Sequence, residues 1–216
     1  MTISLTEHEY YEQFQEADKK QLHLDMSDEL DVTLKSNGRV AQGWMRRIHL
    51  REGIFIQIEK TQSRDRLLLT LPEEKRLLKW HFLLSGKQQS IHGFSHKKTS
   101  FSLGAGRYVI YGSGLTKSVE DCSEIKPILE VTVGMQPEML HSFVGDTSGE
   151  LPKIFNHLVR PFDRECYKRG GETSAMVSVV LQQILQCPYK VRIDGADARG
   201  RSRRSTRRLE SGIITA

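Results

Sequence analysis

An arginine lies among apolar side chains in a segment that alternates like a strand. In residues 44–50, Arg46 shares one face with Trp44, Ile48 and Leu50. A guanidinium is costly to bury among apolar side chains unless an anion pairs with it. Arg46 therefore forms an ion pair at the rim of a barrel, or lies on the other face because the face assignment is off by one residue, or meets an anionic group of a bound effector.

Aromatic side chains in a second segment could form the walls of an apolar pocket. Trp80 and Phe82 alternate with Leu78 and Leu84. A pocket with aromatic walls and few polar groups suits a small organic ligand, whereas core packing explains the same alternation without a ligand. The predicted ligand-binding residues are Trp44, Arg46, Trp80 and Phe82.

Two histidines, His92 and His96, lie four residues apart, which on a strand places both on one face. Metal ligands need convergent geometry, so the pair is a weak candidate for chelation and otherwise belongs to a solvated strand edge or turn. The sequence has no G-x-S-x-G elbow and no P-loop. It therefore predicts no catalytic residue, no cofactor and no enzymatic activity.

Short alternating segments separated by turn residues predict a mainly β fold. Their regular spacing is typical of a sandwich or barrel, and a jelly roll suits this many short strands. Gly53 lies in the tight connection between the first two strands, where it can adopt a positive φ. The predicted strands are 44–50, 54–58, 66–71, 78–84, 88–93, 99–103, 107–111 and 128–133.

Helices are predicted on both sides of these strands. Thr6 and Glu9 have the spacing of a capping box at the start of the first helix. In the last helix Met176, Val180 and Ile184 form an apolar stripe, which either packs on the barrel or pairs with a second copy. The later helices are predicted at 137–143, at 151–159, and from Thr173 or Ser174 to about residue 186.

The net charge of +5 comes entirely from residues 190–216, because residues 1–189 are balanced. This basic tail has no apolar periodicity and is predicted to be disordered. It could instead bind nucleic acid without sequence choice, or be foreign to the ancestral reading frame. Three separate cysteines, no secretory signal and no membrane-spanning run predict a cytoplasmic location.

Five segments together resemble one family. They are LREGI at 50–54, HFLLSG at 81–86, YGSGL at 111–115, SFVGDTSGELP at 142–152 and LQCPY at 185–189. The sequence resembles the N-terminal half of AraC-type transcriptional regulators, in the branch of the pyochelin regulator that is common in cyanobacteria. The resemblance covers nearly all of residues 1–189. It implies a cupin-like jelly-roll barrel for a small effector, with a ferric siderophore as the best candidate, and a helical segment that supports a homodimer.

The resemblance also predicts how the chain divides. We expect an α+β fold, with a helix and cupin-like barrel in 1–134, a helical segment in 135–189 and the basic tail in 190–216. In such regulators helix-turn-helix units follow, but no matching pattern follows Tyr189, so promoter DNA is expected as a partner only if such a domain were present. The alternatives to an effector-sensing domain are a metal-dependent cupin enzyme and a nucleic-acid binder acting through the tail.

Overall fold

The structure is a computed structural model. It describes residues 1–12, 30–38, 40–71, 77–94, 97–113, 118–121, 127–144, 152–159 and 167–187. The predictions for the tail at 190–216 and for His96 lie outside these residues. None of the described helices is long and apolar enough to span a membrane.

The elements are numbered in chain order over the described residues. The strands are Thr2–Thr6 (β1), Asp31–Asn37 (β2), Gln42–Arg51 (β3), Ile54–Gln62 (β4), Arg66–Leu71 (β5), Leu78–Ser85 (β6), Lys87–Phe94 (β7), Lys97–Gly104 (β8), Arg107–Tyr111 (β9), Ser118–Asp121 (β10), Ile128–Met135 (β11) and Lys168–Glu172 (β12). The helices are residues 7–12 (α1), Pro137–Val144 (α2) and Ala175–Gln186 (α3), with a 3₁₀ turn at Lys153–Phe155.

Strands β4 to β11 form a jelly roll. They lie in two sheets, with the orders β9-β6-β11-β4 and β8-β7-β10-β5. Strands β4, β5, β6 and β7 pair antiparallel with β11, β10, β9 and β8 respectively. This nested pairing is that of one long hairpin folded over into two facing sheets. The predicted mainly β, cupin-like fold is therefore confirmed.

Four further strands extend the two sheets. β3 and β2 continue the first sheet beyond β4, and β12 continues it beyond β9, which gives seven strands. β1 pairs parallel with β5 and gives the second sheet five. The sequence analysis missed β1, β2, β10 and β12. The last two, SVED and KRGGE, pair through their backbones and carry little apolar alternation, and β12 lies inside the segment predicted to be helical.

The predicted strands and several predicted local features are confirmed. The eight strands predicted between residues 44 and 133 all occur, and Gly53 has φ 78°. Thr6 N donates to Glu9 Oε2 at 2.7 Å and Glu9 N donates to Thr6 Oγ1 at 3.2 Å, which is the capping box. Ser174 caps α3. Residues 151–159, predicted as a helix, contain only the 3₁₀ turn in their described part.

Both faces of the seven-stranded sheet are covered. On its outer face Leu140 of α2 packs near Leu78, and Leu181 of α3 packs against Ile58 and Val131. The inner face looks onto the five-stranded sheet. The three isoleucines of β4, at 54, 56 and 58, therefore point toward the helices, and the residues between them point into the barrel.

Candidate functional site

A cavity of about 140 Å³ lies between the two sheets. Alternation along β4, β6 and β11 turns apolar side chains toward the helices and most of the polar side chains toward this cavity, which Phe55 and Ile128 also line. Tyr10 and Tyr11 of α1 line the cavity as well, together with Leu67 and Leu69 of β5. The polar part of the lining consists of Glu7, Arg47, Gln57, Glu59, Thr61, Ser63, Lys79, His81, Gln88, Glu120, Glu130 and Thr132.

Glu59 is a buried acid in the wall of the cavity, with only 8% of its surface exposed. It accepts hydrogen bonds from Tyr10 Oη at 3.2 Å, Thr61 Oγ1 at 3.3 Å and Gln57 Nε2 at 3.4 Å. Burial and then the nearby Glu130 carboxyl raise the pKa of Glu59 to about 8. The Glu59 carboxyl is therefore mostly protonated at neutral pH.

Glu130 lies directly opposite Glu59, since the two residues are register partners in the β4–β11 pair. Like charges placed opposite each other across two strands are unfavourable. Burial and then the Glu120 carboxyl raise the pKa of Glu130 to about 8. The paired acids Glu59 and Glu130 are thus mostly neutral and can donate hydrogen bonds into the cavity.

A chain of hydrogen bonds crosses the cavity from one sheet to the other. His81 Nδ1 lies 2.9 Å from Thr132 Oγ1, and His81 Nε2 lies 3.2 Å from Gln88 Oε1. Gln88 Nε2 donates to Glu120 Oε2 at 3.0 Å, so the Gln88 oxygen is left to accept from the imidazole. Nε2 of His81 therefore carries the proton, and Nδ1 accepts from the Thr132 hydroxyl.

The imidazole of His81 is neutral. Burial is the largest cause that lowers the pKa of His81. His81 Nε2 also lies 3.4 Å from Glu130 Oε2, a distance at which an ion pair could form. Because the pKa of each partner shifts toward its neutral form, the contact joins two neutral groups at pH 7.

Helix α1 covers one side of the cavity with two tyrosines. Tyr10 is buried in a cluster with Ala41, Leu67 and Leu69. Tyr11 Oη accepts from Gln57 Nε2 at 3.5 Å. The side chains that hold α1 in place thus contact the same acid and amide that line the cavity.

Arg47 lines the cavity from an exposed position on β3. Its Nη2 donates to Gln57 Oε1 at 2.8 Å, and its Cζ lies 5.0 Å from the centroid of the Phe55 ring. The Phe55 ring lies against Gly134, where an added Cβ would come within 2.2 Å of the ring. Because Gly134 has no side chain, the Phe55 ring fits against it, and the ring in turn supports the Arg47 guanidinium.

The four predicted ligand-binding residues lie away from this cavity. Trp44 and Phe82 pack in the outer cluster with Leu181, and Trp80 packs in the cluster that contains Leu140. Arg46 donates to Asp31 through Nε at 2.8 Å and Nη2 at 2.6 Å, which matches the ion-pair alternative. Contact of these four residues with an effector stays a prediction.

The sequence analysis missed the residues that do line the cavity, although two of them, Arg47 and His81, are sequence neighbours of the predicted ones. The signal was present in the polar positions that alternate with apolar ones in each strand. It was overlooked because the apolar face of each strand was expected to be the inside of the barrel. The missed residues are Arg47, Gln57, Glu59, His81, Gln88, Glu120, Glu130 and Thr132.

The structure describes part of the predicted metal site and the predicted stripe on α3. In the described part of the chain, no three His, Cys, Asp or Glu side chains are placed to hold a metal ion. The His92 and His96 side chains are not among those described, so that metal prediction stays open. On α3, Met176 and Val180 are 79% and 47% exposed, whereas Ile184 packs inward with Leu181.

Comparison with known protein families finds one match for this sequence. The family described as "Regulatory protein PchR N-terminal domain" matches residues 42–193. No curated protein matches the sequence significantly.

Similar solved structures differ widely in sequence. Fatty-acid-bound ToxT from Vibrio cholerae is 12% identical, with a TM-score of 0.46 over 76% of this chain and 53% of that one. Hydroxypropylphosphonic acid epoxidase from S. wedmorenis is 12% identical, with a TM-score of 0.36 over 54% and 60%. Vicilin from Corylus avellana is 12% identical, with a TM-score of 0.37 over 51% and 33%. This chain therefore spans from a third to three fifths of these proteins' lengths, and likenesses this distant carry no functional inference.

Proposed function

We propose, from the premise that this chain belongs to the family of the regulatory protein PchR N-terminal domain, that it senses a ferric siderophore in the cavity between its sheets. The chain is the effector-binding regulatory half of an AraC-type transcriptional regulator. The family match over residues 42–193, which contain β3 to α3, carries the proposal. Binding would bias one of two arrangements of the whole regulator.

The lining of the cavity supports a ligand rich in oxygen and nitrogen atoms. Phenol, carboxyl, amide and imidazole groups all face it, and each can donate or accept a hydrogen bond. Its volume of about 140 Å³ is close to that of a cavity that holds one benzene, and well below the several hundred Å³ of pockets for drug-sized ligands. We propose that one arm of the siderophore enters and that its iron centre stays at the mouth.

Titration with ferric siderophores tests this function. One class among phenolate, catecholate and hydroxamate siderophores is expected to bind with a Kd of about 1 μM or below and to raise the melting temperature. The same siderophore without iron is expected to bind more weakly. Isothermal titration calorimetry and thermal denaturation measure both effects. Absence of binding by all three ferric classes would contradict the proposal.

A matched pair of glycine substitutions tests whether the cavity is the site. Gly134→Ala is expected to push the Phe55 ring into the cavity, because the new Cβ would lie 2.2 Å from that ring, and to weaken siderophore binding at least tenfold. It is also expected to lower the free energy of unfolding by about 1–3 kcal/mol. Gly104→Ala is the control, since nothing lies within 4 Å of its Cβ. Equal affinities in a folded Gly134→Ala protein and the control would place the ligand elsewhere.

We propose that α3 pairs two copies of the chain through Met176 and Val180, the exposed members of the predicted stripe of Met176, Val180 and Ile184. Met176, Val179 and Val180 are 79%, 57% and 47% exposed, an apolar surface on the side of α3 away from Leu181. Met176→Glu with Val180→Glu is expected to convert dimers into monomers in light scattering after size exclusion. Gln182→Glu, at an exposed polar position of α3 that lies off the face of Met176 and Val180, is expected to leave dimers intact. A wild-type monomer at micromolar concentration would refute the pairing.

We further propose that the domain works in the cytoplasm by binding rather than catalysis, with the barrel in 1–134 and the pairing segment in 135–189. Promoter DNA would be contacted by another part of the regulator. Elemental analysis of the purified protein distinguishes a domain that only binds an effector from a metal-dependent cupin enzyme. The enzyme requires about one iron, manganese or zinc ion per chain.

A further inference from the structure

We infer that Arg47 binds the carboxylate of an aromatic arm of the effector at the mouth of the cavity. The inference deepens the proposed function and rests on it. It assigns the anion-binding role that the sequence suggested for Arg46 to the next residue, because alternation along β3 turns Arg46 toward Asp31 and Arg47 toward the cavity.

The guanidinium of Arg47 is held in place but keeps donors available. Phe55 supports one side of it, and Gln57 Oε1 accepts from Nη2 at 2.8 Å. Gln57 is the one hydrogen-bond acceptor for this side chain among the described residues. A guanidinium with several N–H groups in a planar fork matches the two oxygens of a carboxylate.

The rest of the cavity suits an aromatic ring better than a second charged group. Tyr10, Tyr11, Phe55, Leu67 and Leu69 contribute apolar surface to the lining. The volume of about 140 Å³ is close to that of a cavity that holds one benzene.

The buried acids of the cavity do not repel the carboxylate that Arg47 binds. Glu59 and Glu130, as neutral acids, can donate to it, and neutral His81 neither attracts nor repels it. Lys79 adds a second cation to the lining, whereas Glu7 and Glu120 oppose the anion. A cationic ligand would instead be drawn by these acids, and the experiment below tests for it.

Benzoate and benzamide form the matched probe pair, because they have the same shape and differ in charge. The wild-type protein is expected to bind benzoate about tenfold more tightly than benzamide, as measured by NMR titration. Arg47→Gln is expected to remove this preference and leave benzamide affinity unchanged, and Arg47→Lys to retain part of it. Arg107→Gln, at an exposed position on β9, is the control and should bind benzoate like the wild type.

Three outcomes of the benzoate and benzamide experiment would overturn the inference. They are equal affinities for benzoate and benzamide in the wild type, a benzoate preference that persists in Arg47→Gln, and tighter binding of benzylamine than of benzoate. Melting curves of the Arg47 variants establish that each is folded, and Arg47→Lys keeps the charge if Arg47→Gln does not fold.

Whichever phenolate, catecholate or hydroxamate ferric siderophore binds the wild type separates this inference from the proposed function. A large loss of affinity for that siderophore in Arg47→Gln supports both. Unchanged affinity in that variant overturns the inference and leaves siderophore sensing intact. Arg47-dependent binding of benzoate without binding of any ferric siderophore overturns siderophore sensing, and identifies a free aromatic acid as the ligand.

Discussion

Replacing Arg46 by alanine is expected to lower the free energy of unfolding by about 3 kcal/mol, with little change in effector affinity. Arg46 makes a two-point contact with Asp31, whose side chain is only 3% exposed. Removing the guanidinium deprives a buried carboxylate of this ion pair, which is costly in a poorly solvated position. Chemical denaturation measures the loss, and titration of the folded variant measures the affinity.

Two controls show whether the ion pair is responsible. Arg107→Ala removes an exposed arginine and is expected to change stability by less than about 0.5 kcal/mol. The double variant Arg46→Ala with Asp31→Ala should be less destabilised than the sum of the two single variants, because both remove the same interaction. If Arg46→Ala instead leaves stability unchanged and abolishes effector binding, Arg46 belongs to the ligand site after all.

Raising the pH from about 7 to about 9 is expected to lower the stability of the wild type by about 2–3 kcal/mol. Glu59 and Glu130 have pKa values near 8 in the folded protein, raised from 4.5 by burial and by neighbouring carboxyls. The folded state therefore keeps protons that the unfolded chain has already released. Their stabilising effect is complete below pH 4.5 and disappears as the pH rises through about 8.

The window above pH 7 separates the two glutamates from His81. His81 has a lowered pKa when folded, and its contribution changes only below its ordinary value of 6.5. Glu59→Gln replaces the acid with a neutral side chain of similar shape. It is therefore expected to flatten the pH dependence and raise the melting temperature at pH 9 by about 4 °C.

An exposed glutamate serves as the control for the pH experiment. Glu172→Gln, on β12, should reproduce the wild-type pH dependence. A wild-type stability that stays constant from pH 7 to 9, or a Glu59→Gln protein with the same slope as the wild type, would contradict the burial of two neutral acids.

Alternation in the sequence predicted the fold well and the site poorly. Eight strands and the capping box at Thr6 were predicted because their patterns are local. The predicted ligand site was sought at Trp80 and Phe82, on the apolar face of β6, whereas His81 between them lines the cavity. Alternation shows which residues share a face, and it does not show whether a helix or a second sheet covers that face.

The sequence analysis missed β12 and the acid pair of Glu59 and Glu130 for different reasons. β12 carries two glycines in five residues and is held by pairing with β9, a contact that sequence periodicity does not show. Glu59 and Glu130 are 71 positions apart in the chain, and only the register of β4 against β11 brings them opposite each other. Long-range pairing of this kind is decided by the whole topology rather than by neighbouring residues.

Because both faces of the seven-stranded sheet are covered, the cavity and helix α3 contact opposite faces of the same strands. Glu59 lines the cavity while its neighbour Ile58 packs against Leu181 of α3, and Glu130 and Val131 repeat this arrangement on β11. A single layer of backbone therefore separates the cavity from α3. Close-packed interiors transmit small shifts. A molecule that moves β4 away from β11 therefore also moves Ile58 and Val131, the residues on which Leu181 of α3 packs. No other residues need to carry the shift from the cavity to the helix.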